Sequence, residues 1–228
     1  MCVKQVTWAS MTLRILVTGS NLFFTARLIH DLGRQGVSIT AADSSLCSAG
    51  KLSRVVSRKL TLPSLKTNPA GYLAGIRAEL QRQRYDLLLP TFEESLLLAE
   101  YQDELATLTK VLLPPFQTMY RLHDKRQLHA FCLAHKIPTP PTKPITHRVN
   151  LDAVADEIGF PVVLKLPSSN NSVGRMFCKN QHELQRHFDQ LMALHEPGPS
   201  DLPFLQKKVE GDLICTLGYG SQGKSWLK

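Results

Sequence analysis

The clearest chemistry in this sequence sits where a lysine closes an apolar run ahead of a small polar loop. Phe160-Pro-Val-Val-Leu-Lys-Leu-Pro167 places Lys165 directly before Ser168-Ser-Asn-Asn-Ser-Val-Gly174. An ammonium is costly to bury without an anionic partner, so Lys165 should point at a ligand or at solvent. The loop, with Ser168, Ser169, Asn170, Asn171, Ser172 and Gly174, can present backbone N–H groups and hydroxyls to phosphate oxygens. An edge lysine reaching water beside an ordinary hairpin fits this segment equally well. Downstream, Pro203-Phe-Leu-Gln-Lys-Lys-Val-Glu-Gly-Asp212 reads as a strand running into a polar stretch and a glycine turn. That layout lets backbone groups near Lys208 and Val209 meet a flat ring edge, with Asp212 placed to accept from ribose hydroxyls. The alternative is a hairpin with charged edges and no ligand.

Weaker signals lie in the first part of the chain. Thr18-Gly19-Ser20 follows a β-rich run and resembles a dinucleotide-binding turn, with Asp43 available for a ribose, but the full G-x-G-x-x-G is absent. A NAD-binding site and a purely architectural turn both remain open there. Glu93 and Glu94 are weak candidates for substrate contact, and acids at a helix start suit the positive end of the helix dipole without any ligand.

The elements that must position these groups follow from periodicity. Leu13–Thr18 reads as a strand, Phe24 to Leu32 has helical spacing, and Val37–Ala42 is a second strand ending at Asp43. A weak strand at 58–62, a helix at 69–84, the strand Tyr85–Pro90, a helix opened by Thr91–Glu94 and a strand at Val111–Leu113 continue the alternation. Such alternation predicts a Rossmann-like, open, mostly parallel sheet covered on both faces. Residues 118–135 are helical but broken at His123-Asp124, where Asp124 is a plausible N-cap. The proline-rich Ile137–Pro144 marks the best boundary. Beyond it come a helix at 151–158, the strands 161–166 and 175–179, a helix at 181–194, the strands 204–209 and 213–218, and a hairpin around Ser221-Gln-Gly223. This order suggests a small α+β lobe.

Together with His123-Asp-Lys-Arg126, the three pieces of the second half resemble the ATP-grasp superfamily, in particular its carbamoyl-phosphate-synthase-like branch of amine-ligating enzymes. Ile15-Leu-Val-Thr-Gly19, Ala42-Asp-Ser44, Leu89-Pro-Thr-Phe-Glu-Glu94, His123-Asp-Lys125 and Phe160–Lys165 occur in the order that branch uses. The resemblance implies that Lys125 and Lys165 contact the ATP phosphates and that the 168–174 loop closes over them. It further implies that Gln206, Lys207, Lys208 and Val209 frame adenine, and that Asp212 holds the ribose. Two departures stand out: the loop carries only Gly174, and Gln206 stands where many relatives have Glu. Family chemistry implies a carboxylate attacking the γ-phosphate and an amine displacing the acyl phosphate, with small carboxylate and amine substrates. The Mg²⁺ ligands of relatives are a Glu and an Asn on a second lobe, and no acid follows Asp212 here. The expectation is therefore a lead-in at 1–12, a pre-ATP-grasp domain at 13–117, a linker at 118–144 and a truncated first lobe at 145–228, without turnover on its own. A non-catalytic nucleotide- or partner-binding module is the alternative, in which an unpaired strand edge would favour association with a second copy.

Composition bounds these readings. A chain of 228 residues, 43% hydrophobic, can bury a core. Five scattered cysteines without metal spacing argue against a zinc site and for reduced thiols, hence for the cytoplasm. Apolar runs are too short to span a bilayer, so no membrane partner is expected. The formal charge of +8 sits in the first part, where residues 1–150 hold 19 Lys and Arg against 10 Asp and Glu. A basic run from Lys51 to Arg84, opposed only by Glu79, could contact phosphates, but no aromatics are interleaved for base stacking. Nucleic acid is the minor reading, because Arg77, Arg82 and Arg84 fall where a solvated helix face is expected.

Overall fold

The computed structural model describes residues 12–169, 173–198, 201–212, 214, 218–221 and 224–227, the last two runs as backbone. The chain divides into two compact units, Met1–Tyr120 and Arg121–Lys228. Each has its own sheet and its own core.

The first unit is built on four parallel strands, β1 (Arg14–Val17), β2 (Ser38–Asp43), β3 (Val56–Thr61) and β4 (Leu87–Leu89), in the order β3-β2-β1-β4. Ile15, Leu16 and Val17 are all buried, as expected of a strand covered on both faces. On one face, Leu16, Ala42 and Leu88 pack with Tyr72, Leu73, Ile76 and Leu80 of α2 (Pro69–Arg82) and Leu98 of α3 (Glu94–Glu100). On the other, Ile15, Val17, Ile39 and Ala41 pack with Ile29 of α1 (Phe23–Arg34). Asn68 caps α2 through its side chain, and Pro69 sits in the first turn, where a missing N–H costs nothing. A short α4 (Gln102–Ala106) follows α3.

The strand expected at Val111–Leu113 is reduced to a single parallel bridge, Leu88 to Val111. Pro114 and Pro115 carry no N–H to extend the ladder. The basic run also changes meaning. Lys51 is buried, its Nζ donating to the carbonyls of Asp43 and Ser45 and to Thr61 Oγ1, so it is unavailable to any polyanion. Arg82 is not simply solvated either, since it pairs with the buried Glu79.

The helix α5 (Phe116–His123) contains the division between the units. In the second unit, α6 (Lys125–Ala134) begins as expected, with Asp124 accepting from the backbone N–H of Arg126 and Gln127. The proline-rich stretch ends in β5 (Thr142–Pro144), an edge strand, the position in a sheet that tolerates proline. The sheet order is β5-β8-β6-β7, all antiparallel, with β6 (Val162–Lys165), β7 (Arg175–Cys178) and β8 (Phe204–Lys207). The helices α7 (Leu151–Ile158) and α8 (Gln181–His195) cover one face through Leu151, Val154, Leu184, Phe188 and Leu191, packed on Val162, Leu164 and Leu205. The Lys208 N–H still donates to the carbonyl of Pro161 in the β6–β8 register, but Pro161 has no N–H to return the bond, and β8 ends at Lys207. The strand expected at 213–218 falls mostly outside the described residues. β9 (Gly218–Ser221) and β10 (Lys224–Leu227) form the expected antiparallel hairpin.

Candidate functional site

Strand alternation decides which side chains meet in the second unit. Val162 and Leu164 point into the helix-covered core, so Val163 and Lys165 take the opposite face of β6. Antiparallel register sets Lys165 opposite Arg175 on β7, and Val163 opposite Gln206 on β8. Gln206 is then the diagonal neighbour of Lys165, and its Oε1 accepts a hydrogen bond from the Lys165 ammonium. The amide is held from its other end, because Gln206 Nε2 donates to Thr142 Oγ1 at 2.9 Å and that hydroxyl donates to the Pro140 carbonyl at 2.9 Å.

Lys125 arrives from a different direction. As the first residue of α6 its Nζ donates to the Ser169 carbonyl at 2.7 Å, to Ser169 Oγ at 3.1 Å and to the Pro167 carbonyl at 3.3 Å, and its backbone N–H also donates to Pro167. The lysine at the helix start thus holds the beginning of the loop that follows the lysine at the strand end. The loop closes at Gly174, whose φ is +65° and whose carbonyl accepts from the Leu166 N–H at 3.1 Å. A Cβ there would run into the Leu166 side chain, so both backbone and space call for glycine.

The electrostatics follow from this placement. Burial lowers the pKa of Lys165, and the neighbouring charges of Arg175 and Lys125 lower it further. Among the described residues no carboxylate pairs with it. The half-buried face around Lys165 is therefore a place where cations gather and an anion would be stabilised.

The remaining residues singled out in the sequence divide into engaged and open. Lys207 Nζ donates to the carbonyls of Gly159 at 2.8 Å and Phe160 at 2.9 Å, pinning the turn before β6. Lys208 pairs with Glu210 at 2.6 Å. The Val209 N–H has no partner among the described residues, and its side chain is 65% exposed. Ser168 and Asp212 are exposed, and Ser169 is half-buried. Asn170, Asn171 and Ser172 lie outside the described residues. Arg175 and Thr142 were not singled out; a hairpin centred on the 168–174 loop would set Phe177 opposite Lys165, and the observed register, shifted from that, sets Arg175 there.

In the first unit, Glu94 is buried and one of its carboxylate oxygens is engaged. Its Oε1 accepts from Thr18 Oγ1 at 2.6 Å, from the Thr91 N–H at 3.0 Å and from the Phe92 N–H at 3.2 Å. Asp43 accepts from the Asn21 and Ser45 N–H groups. Gly19, at φ +65°, packs against Thr91 and Glu94. Asp43, Glu93, Glu94 and Gly19 line a cavity of about 140 Å³ at the carboxyl ends of the parallel strands, but Asp43 and Glu94 serve the turns themselves.

Comparison with solved structures decides the fold. The L-amino acid ligase of Bacillus licheniformis superposes on 95% of this chain and 49% of its own length, with a TM-score of 0.73 at 16% identity. The chain has an ATP-grasp fold over about half the length of these proteins. Other ATP-grasp folds align in the same way. The N5-carboxyaminoimidazole synthetase of Staphylococcus aureus, solved with ADP, matches 90% of the chain and 50% of its own with a TM-score of 0.65 at 13% identity. The biotin carboxylase domain of Hydrogenobacter thermophilus 2-oxoglutarate carboxylase, solved with MgADP, matches 88% and 45% with a TM-score of 0.64 at 18% identity. In sequence, the carbamoyl phosphate synthase large chain of Thermus thermophilus is 26% identical over 106 residues, 46% of this chain and 10% of that protein. No protein-family model matches. The chain spans about half the length of the solved structures it matches.

Proposed function

We propose that these residues are the ATP-binding portion of an ATP-dependent carboxylate-amine ligase of the ATP-grasp superfamily, acting in the cytoplasm through an acyl phosphate. The observation that carries the reading is the half-buried Lys165 ammonium, surrounded by Arg175 and Lys125 and balanced by no carboxylate among the described residues. A polyphosphate supplies the missing negative charge. Lys125 and Lys165 then neutralise phosphate oxygens, Arg175 adds a third cation, and the loop of Ser168, Ser169, Asn170, Asn171, Ser172 and Gly174 closes over the terminal phosphates. The open Val209 N–H meets the adenine edge. Gln206, fixed by Thr142, keeps one lone pair on its oxygen for the adenine amino group. Asp212 accepts from the ribose.

The domain division follows the same reading, with a pre-ATP-grasp domain at 13–117, a linker at 118–144 and the first nucleotide-binding lobe at 145–228. Neighbours solved with ADP and MgADP support a nucleotide and Mg²⁺ as the working pair. Bound Mg²⁺ would supply charge neutralisation at the transferring phosphoryl group. Among the described residues no three His, Cys, Asp or Glu side chains gather to hold such an ion. The 228 residues taken alone are proposed to bind nucleotide with little or no turnover.

Titration with a fluorescent ATP analogue tests the reading. Saturable binding weakened about tenfold or more in Lys165→Ala is expected, the cost of losing one charge-assisted contact to phosphate. Equal binding by the two proteins, each shown to be folded, would remove the assignment. ATP-dependent ligation by the 228 residues alone would show that the metal site had been misplaced.

A further inference from the structure

The parallel sheet of the first unit has a second concavity, at the end opposite the Gly19 and Asp43 turns. Arg14 opens β1, Ser38 opens β2, and Ser57 and Arg58 lie in the first half of β3. With Arg82 and Gln83 from the end of α2, they line a cavity of about 340 Å³. That volume falls in the range of small-ligand sites, whereas open α/β sheets ordinarily bind at the carboxyl ends of their strands. A cavity at the amino ends needs its own explanation.

Its floor is built around a buried carboxylate. Glu79 is 3% exposed and accepts two hydrogen bonds from Arg58, at 3.1 and 3.3 Å, and two from Arg82, at 3.0 and 2.7 Å. The buried Tyr85 hydroxyl donates to the same carboxylate at 2.6 Å. Each guanidinium spends two of its roughly five N–H donors on Glu79 and keeps the others. Both arginines are thus locked in place, which removes most of the rotamer entropy that an anion would otherwise have to overcome.

Folding explains Arg58 and Arg82, which tie β3 to α2 through Glu79. It does not explain Arg14. Among the described residues the Arg14 guanidinium has no ion pair; the contacts of Arg14 are made by its backbone, whose N–H donates to the Asp86 carboxylate and whose carbonyl accepts from the Asp86 N–H, both at 2.8 Å. Three cations against the two carboxylates of Glu79 and Asp86 leave the cavity positive. Ser38 and Ser57, in hydrogen-bond contact at 3.2 Å, add hydroxyls to the wall, and Gln83 adds an amide. The lining offers no exposed apolar side chain for a nucleobase.

We propose that this cavity is a binding site for a small phosphate ester of sugar-phosphate size, with Arg14, Arg58 and Arg82 on the phosphate and Ser38, Ser57 and Gln83 on the hydroxylated body. The guanidinium forks match phosphate oxygens, and the hydroxyls and amide match sugar hydroxyls. The site is independent of the nucleotide reading, because none of its residues belongs to the second unit.

A nuclear magnetic resonance titration of the full 228-residue chain with ribose 5-phosphate tests the proposal. Saturable shifts at Arg14, Ser57 and Gln83 are expected, with half-saturation at about 1 mM or below. Arg14→Gln should weaken binding about tenfold without altering the fold, since that side chain holds nothing else in place. Ser57→Glu, which puts a carboxylate on the wall, should abolish it, while Lys165→Ala should leave it unchanged. Inorganic phosphate should shift the same arginines with lower affinity; equal affinity would overturn the ester assignment. Absence of saturable shifts up to about 10 mM, or full retention of binding in both Arg14→Gln and Ser57→Glu, would overturn the site.

Discussion

Lys165 shows how one side chain carries its history in both sequence and structure. A lone lysine at the end of Val-Val-Leu was visible as an anomaly, because nothing in an apolar strand rewards an ammonium. Lys125 was singled out only by the resemblance of His123-Asp-Lys125 to the ATP-grasp pattern, while the residue chemistry pointed to Asp124 as the cap of its helix. Their approach to one loop is geometry that the structure supplies. Lys207 was set among the ring-framing residues, yet its side chain holds the carbonyls of Gly159 and Phe160, and chain order does not reveal which carbonyls lie within reach. The Gln206 amide was equally opaque, since its contact with Lys165 depends on the β6–β8 register. That contact makes a prediction at its own scale. Gln206→Glu gives the half-buried ammonium a carboxylate but takes the N–H donor away from Thr142 Oγ1, so it should be about 1 kcal/mol more favourable with Lys165 present than in a Lys165→Met background. A double-mutant cycle from urea unfolding measures it, and an equal effect of Gln206→Glu in both backgrounds would show that the carboxylate does not act through Lys165.

Elements were more legible than contacts, and the reasons differ along the chain. The strands of the first sheet and the helices packed on them follow from burial of short apolar runs and from helical spacing, which local sequence reports directly. Val111–Leu113 has the same apolar character, but its pairing is cut short by the prolines that follow. Thr142–Pro144 shows the reverse, a proline-bearing segment recruited to a sheet because an edge strand leaves some of its N–H positions unneeded. Two predictions belong to this scale. Asp124→Ala leaves the first N–H groups of α6 without their acceptor and should cost about 1 kcal/mol, read by urea denaturation, with Asp124→Asn recovering most of the loss. Glu79 ties β3, α2 and Tyr85 together. Burial opposes its ionisation, but the hydrogen bonds from Arg82, Tyr85 and Arg58 prevail and hold its carboxyl at about 2. Its folded value lies below the ordinary unfolded value of about 4.3, so the unfolded state binds more protons in this window and stability falls with falling pH. The loss should run from about pH 4.3 toward 2. Thermal unfolding across that range should show a shallower dependence for Glu79→Gln, and a slope identical to the parent would mean that Glu79 contributes nothing to acid lability.

For the molecule as a whole, the sequence pointed to an α/β part followed by an α+β part, and the structure shows a separate apolar core in each. Leu16, Leu88 and Ile76 belong to one cluster, and Leu164, Leu205 and Leu184 to another, with no residue in common. Ile76 on α2 and Leu164 on β6 are both fully buried, so truncating either to Ala removes packed methyl groups and leaves a cavity. Each change should cost about 2–5 kcal/mol, with the spread set by how far neighbouring side chains collapse into the space. Two sites that share no partner feel each other only through the rest of the chain. The double variant should therefore lose the sum of the single losses to within about 0.5 kcal/mol. Urea unfolding followed by circular dichroism reads this directly, with each single variant moving the transition of its own unit. A coupling above about 1 kcal/mol would mean that damage in one core reaches the other, and the two units would then have to be treated as one cooperative body.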